Sequence, residues 1–178
     1  MRKIVLISLA LILFSAVAYL GYSILQKDKQ EEIIWKQISK LPDFTLSDVE
    51  GNSHSLKKLA ENKATLLVYF NSTCEICQME MNTISNRVME FESYRLIFVT
   101  VESPEEITGF ITELQMESRK NVHFLVDSEM EVAGYYGVKG VPALFIYDST
   151  GNLVDSYTGP VKVDLILDKL KEGKESAL

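Results

Sequence analysis

Cys74 and Cys77 are the only cysteines of this 178-residue chain, and they stand as Cys-Glu-Ile-Cys just beyond an apolar run. Two intervening residues allow a cysteine pair to close a small redox-active loop. In such a pair one thiolate attacks a disulfide and the neighbouring thiol resolves the mixed intermediate. An inert disulfide and a metal site are the alternatives. A 74-to-77 link closes too short a loop to restrain the unfolded chain much. Zinc normally takes four ligands, and the only histidines, His54 and His123, fall in segments of a different character. The spacing favours redox chemistry and leaves the other two open.

Position divides the labour between the two thiols. Thr65 to Phe70 is a continuous apolar, β-branched run of strand length. From Glu75 to Phe91 the period changes, with Ile76, Met79, Ile84, Val88 and Phe91 recurring near helical spacing. Cys74 therefore falls where a buried strand gives way to a helix, and free N–H groups and the helix dipole favour an anion there. Cys74 is the expected nucleophile, and Cys77, one turn inward, the resolving thiol. Glu80, three residues beyond Cys77, is placed to take or return its proton, or else is a solvated surface residue. Glu75, between the cysteines, opposes thiolate formation by like charge.

The elements that must hold this pair are legible as alternating strands and helices. Leu41-Pro42-Asp43-Phe44 interrupts helix, Phe44 to Leu46 alternates like a strand, and Asp48 to Asn52 forms a turn at Gly51. Ser55 caps a short helical turn over Leu56 to Leu59. Tyr94 to Val101 and Val122 to Val126 are further buried-strand candidates. Between them Ser103 and Pro104 open a helix with Ile107, Phe110, Ile111 and Leu114 inward. Glu129 to Tyr136 is a short helix ending at Gly137. Ala143 to Tyr147 and Leu153 to Tyr157 form a hairpin, and Val161 to Leu170 an amphipathic closing helix. This order predicts an α/β fold with a central mixed β-sheet flanked by helices.

Met1-Arg2-Lys3 and the apolar stretch from Ile4 to Leu25 predict an N-terminal transmembrane helix. A 22-residue helix rises about 33 Å against a hydrocarbon core of roughly 30 Å. The positive end stays in the cytoplasm and places the remainder outside it. The alternative is a signal segment cleaved near Ala16-Val17-Ala18 and release into the periplasm. The expected organisation is an anchor or signal segment over 1–26, a juxtamembrane linker over 27–40, a redox domain over 41–171 and a polar tail over 172–178. Lys and Arg number 18 against 25 Asp and Glu, a net charge of −7, which argues against nucleic acid as a partner.

Several landmarks then carry a resemblance. They are Pro42-Asp43-Phe44-Thr45-Leu46, Leu67 through Cys77, Tyr136-Gly137-Val138-Lys139-Gly140-Val141-Pro142, Gly151 and Gly159. Over roughly Leu41 to Leu170 the chain resembles the thioredoxin-like superfamily. It is most similar to membrane-tethered bacterial thiol-disulfide oxidoreductases of the TlpA/ResA kind, within the broader redoxin or AhpC/TSA grouping. On residue types alone Pro142 is a turn proline. The resemblance implies instead a cis proline facing the dithiol, with the Val141 backbone pairing with bound substrate, and it places the family's active-site glutamate on Glu80. Many relatives have tryptophan before the first cysteine and proline before the second. This chain has Thr73, which takes the tryptophan's substrate-facing position, and Ile76.

The resemblance implies an extracytoplasmic thiol-disulfide oxidoreductase without a cofactor, with protein thiols and disulfides as substrates. It further implies a membrane or envelope electron donor, bilayer contact through residues 4–25 and a reductase role such as cytochrome c maturation. Two rivals remain. A thiol peroxidase would use Cys74 on the same fold, but the peroxiredoxin pattern Pro-x-x-x-Thr-x-x-Cys meets Leu67 and Asn71 here. A non-enzymatic envelope adaptor would use only the surface of the fold.

Overall fold

The computed structural model describes residues 2–116 and 118–175, without the side chains of residues 2–10, 24, 25, 27, 28 and 30. The chain divides into two units, Met1–Gln37 and Ile38–Leu178. The first consists of helix α1 (Arg2–Ile38) up to its last residue. In the second, β1 (Thr45–Asp48) and β2 (Ser53–Ser55) precede α2 (Leu56–Ala60), followed by β3 (Thr65–Tyr69) and α3 (Glu75–Asn86). A short 3₁₀ turn (Val88–Phe91) leads to β4 (Arg95–Thr100), α4 (Pro104–Leu114), β5 (Val122–Val126) and α5 (Glu131–Tyr136). The hairpin of β6 (Ala143–Tyr147) and β7 (Leu153–Thr158) and the final α6 (Val163–Glu175) complete it.

The expected membrane anchor is corrected. Among the described residues no helix is long and apolar enough to cross a membrane. Within α1 the continuous apolar stretch with described side chains is residues 11–23, a rise of about 20 Å against a hydrocarbon core of roughly 30 Å. The rest of the predicted span, residues 4–10, 24 and 25, has no described side chains. The helix then runs on through Lys29, Glu31, Glu32 and Lys36 to Ile38. With the anchor fall the bilayer contact of residues 4–25 and the single-pass, extracytoplasmic placement built on it.

Within the second unit the sheet order is β2-β1-β5-β4-β3-β6-β7. Strands β3, β4 and β5 run parallel, and β1, β6 and β7 run antiparallel to their neighbours. All five residues of β3 and of β6 are buried, as continuous β-branched and apolar runs require when both faces of a strand are covered. Leu66, Val68, Leu96, Phe98, Leu144 and Ile146 share one core with Met81 and Ile84 of α3, Ile107 and Ile111 of α4, and Ile166 and Leu170 of α6. The architecture is the expected mixed sheet flanked by helices, a thioredoxin-like fold.

Local signals hold where short-range chemistry decides. Ser55 accepts the Lys58 N–H at 3.2 Å to cap α2. Ser103 and Glu106 form a reciprocal capping box at α4, behind Pro104. Asp148 Oδ1 accepts the Thr150 and Asn152 N–H groups, each at 2.8 Å, inside the β6–β7 turn, where Gly151 takes a φ of 81°. Helix α5 begins two residues later than predicted. Its free N–H groups are met by Asp127, whose Oδ1 accepts from Val132 at 3.1 Å and whose Oδ2 accepts from Ala133 at 3.0 Å. The Tyr69 hydroxyl also donates to Asp127 Oδ2 at 3.0 Å. Asp127 thus ties the end of β3 to the start of α5 while almost fully buried. Asp127→Ala leaves three donors without their acceptor, and unfolding in urea is expected to show a loss of about 3 kcal/mol.

Candidate functional site

The parallel β3–β4 pair and the antiparallel β3–β6 pair build the site. Tyr69, the last residue of β3, lies opposite Ala143, the first of β6. The Gly140-Val141-Pro142 segment just before β6 is therefore brought beside the loop that follows β3, across about seventy residues of chain. The Val141–Pro142 bond is cis, and the Cys74 thiol points at the Val141 carbonyl with Sγ 3.9 Å from the oxygen. The Gly159 N–H donates to the Pro142 carbonyl at 2.8 Å, so the loop after β7 supports this wall.

Cys74 is the N-cap residue of α3, with extended backbone, and it is half-buried, whereas Cys77 is fully buried. Both are free thiols. Their acidities are driven apart by environment. The Cys77 N–H foremost, then the Cys77 thiol and the Ile76 N–H, favour the Cys74 thiolate and hold its pKa below the ordinary thiol value against partial burial and the Glu75 charge. Burial pushes the Cys77 thiol up to about 12, with the neighbouring Cys74 and the charge of Glu102 adding to it. The Cys74 thiolate is favoured, and the Cys77 thiol holds its proton.

Glu80 is not a solvated surface residue. It is 4% exposed, one turn along α3 from Cys77. Its Oε2 accepts the Val161 N–H at 3.1 Å. Its Oε1 is buried without a hydrogen-bond partner among the described residues. Burial raises its pKa above the ordinary carboxylate value, and the bond from Val161 only partly offsets this. Thr73 is exposed beside Cys74, its N–H and hydroxyl both donating to Asn71 Oδ1 at 2.9 and 2.6 Å. Ile76 and Met79 are exposed on the outer side of α3.

Sequence reasoning missed the support of this loop. Glu102, just past β4, accepts the Ser72 N–H on Oε2 and the Ser72 hydroxyl on Oε1, both at 2.6 Å. Gln78 Nε2 donates to the Ser72 carbonyl at 2.7 Å. The available signal was topological: in a parallel β3–β4 pair, the residue after β4 lies at the same end of the sheet as the residue after β3. His54 and His123, which fall in segments of a different character from the cysteine pair, are neighbours of each other, with ring centroids 6.1 Å apart. They lie beside Asp48 on the β1–β5 side of the sheet, and the described residues hold no group of three metal-binding side chains.

The AhpC/TSA family model matches residues 39–156. Among curated relatives, the thiol-disulfide oxidoreductase ResA of Geobacillus thermodenitrificans is 26% identical over 95% of this chain and 96% of its own. Among solved structures, the pneumococcal exposed lipoprotein thioredoxin Etrx1 of Streptococcus pneumoniae is 27% identical with a TM-score of 0.59, covering 74% of this chain and 99% of its own. The peroxidoxin BcpB of Mycobacterium tuberculosis superposes with a TM-score of 0.64 at 17% identity, over 75% of this chain and 94% of its own. That last likeness concerns the fold alone.

Proposed function

This chain belongs to the AhpC/TSA family, and we propose that, as a thioredoxin-fold thiol-disulfide oxidoreductase, it reduces disulfides formed by cysteine pairs of other proteins. The observation that carries this reading is the split environment of the pair: Cys74 at the open start of α3 with its thiolate favoured, Cys77 buried with its thiol near 12. The Cys74 thiolate attacks one sulfur of the partner's disulfide and displaces a partner thiolate, forming a mixed disulfide. Cys77 gives its proton to Glu80, and its thiolate attacks the Cys74 sulfur. The partner's second thiolate leaves, and the chain holds the Cys74–Cys77 disulfide. Two electrons have passed to the partner.

The partner chain is expected to lie along Val141 and Pro142, with the Val141 backbone as its hydrogen-bonding edge and Thr73 on its other side. The two thiols pull the potential in opposite directions: the favoured Cys74 thiolate stabilises the reduced pair, and the raised Cys77 thiol does not. Equilibration of the purified chain with glutathione buffers tests the direction. The expected reduction potential lies below about −220 mV, and a value near about −120 mV, that of a strong oxidant, reverses it. Hydrogen-peroxide turnover faster than disulfide turnover by the same protein would replace this reading with a thiol peroxidase.

A further inference from the structure

We propose that Glu102 is a positioning residue for thiol exchange, holding the Asn71–Cys74 turn so that the Cys74 sulfur stands over the first N–H groups of α3. The proposal rests on the exchange reading above and adds a residue to it. Ser72 has three polar groups, and all three are engaged. Its N–H and hydroxyl reach the two oxygens of Glu102 at 2.6 Å, and its carbonyl accepts from Gln78 at 2.7 Å. Glu102 is itself fastened to the end of β4. The hydroxyl of the fully buried Thr100 donates to Oε2 at 3.0 Å and accepts the Glu102 N–H at 3.2 Å.

The chain of support therefore runs from a buried strand through a carboxylate to the residue two before the nucleophile. Cys74 continues it, since its N–H donates to the Asn71 carbonyl at 3.3 Å and its carbonyl accepts the Gln78 N–H at 2.9 Å. Cys74 has no side-chain capping bond of its own to fix it. Its sulfur stands where the turn puts it. The groups that then face it are the N–H groups of Cys77 and Ile76, the Cys77 thiol, the Glu75 carboxylate and, from across the site, the Val141 carbonyl. A shift of the turn moves the sulfur away from the N–H groups that favour its thiolate.

The test is alkylation of Cys74 by iodoacetamide as a function of pH in the reduced full chain, the buried Cys77 being shielded from the reagent. In Glu102→Ala the rate at neutral pH is expected to fall about tenfold, in keeping with the sensitivity of reaction rates to small misplacements. The midpoint of its profile should move up toward that of an ordinary thiol. Glu102→Gln, which keeps an oxygen for the Ser72 N–H, should recover part of the rate, staying about threefold below the parent, and it serves as the test should the alanine variant not fold. Glu102→Ala matching the parent in rate and midpoint overturns the proposal even if its melting temperature drops, because a purely stabilising contact would do just that. So does Glu102→Gln matching the parent when only that variant folds. Failure of the underlying reading is separately visible: disulfide exchange that survives in Cys74→Ser refutes it whatever Glu102 does.

Discussion

Cys74→Ser is expected to abolish disulfide exchange, by about 10³-fold or more, because a hydroxyl at the start of α3 does not ionise near neutral pH. Cys77→Ser should behave oppositely. It retains the attacking sulfur with its favoured thiolate and loses the group that expels it from the mixed disulfide. Incubated with an oxidised partner peptide, Cys77→Ser is expected to accumulate a stable covalent adduct at Cys74, read by intact mass, while Cys74→Ser forms none. The asymmetry follows from exposure as much as from acidity, since Cys77 is fully buried beneath the turn. Equal adduct formation by the two variants would remove the assigned order of attack. Neither substitution should lower thermal stability much, because the two thiols are unlinked in the reduced protein.

Glu80→Gln should slow turnover about 10²-fold through the resolving step, the scale of general acid-base assistance. With the Cys77 thiol near 12, few molecules hold its thiolate at neutral pH unless a neighbour accepts the proton. The parent's resolution rate should climb with pH as Glu80 ionises, with a midpoint above the ordinary glutamate value, and this limb should be missing in the variant. Stability moves the other way. A carboxyl whose pKa is raised by folding stabilises the fold most below its unfolded pKa. It loses that contribution as pH rises through the unfolded and then the folded value. The parent should therefore weaken over that acid range, whereas Glu80→Gln should not, leaving the variant about 1 kcal/mol more stable at neutral pH by denaturant unfolding. A variant that is both slower and less stable would point to a packing role instead.

The elements and the chemistry of the cysteine pair were legible because they rest on short-range rules. Period, capping residues and turn residues specify Ser55, Ser103 and the β6–β7 turn within a few positions of chain. Cys74 at a strand-to-helix junction is likewise a local statement, and its lowered pKa follows foremost from the N–H groups of Cys77 and Ile76, three and two residues on. The apolar stretch near the N-terminus shows the limit of composition: hydrophobicity read over residues 4–25 predicted a span that the described helix does not provide. Three-residue β2 was missed because Ser-His-Ser carries no strand signal, and it forms by pairing with β1.

What the sequence by itself determined, then, is the cysteine pair at a strand-to-helix junction and the mixed α/β order that presents it. Only the tertiary structure decided what surrounds it. Pairing of β3 with β6 set the Val141 carbonyl against Cys74, and the parallel run of β4 carried Glu102 to Ser72. Helix α3 turned Glu80 inward until one oxygen had no partner among the described residues. These are contacts between residues 30, 67 and 81 positions apart. Strand register and burial create them, and both are properties of the packed sheet and its helices rather than of any stretch of chain.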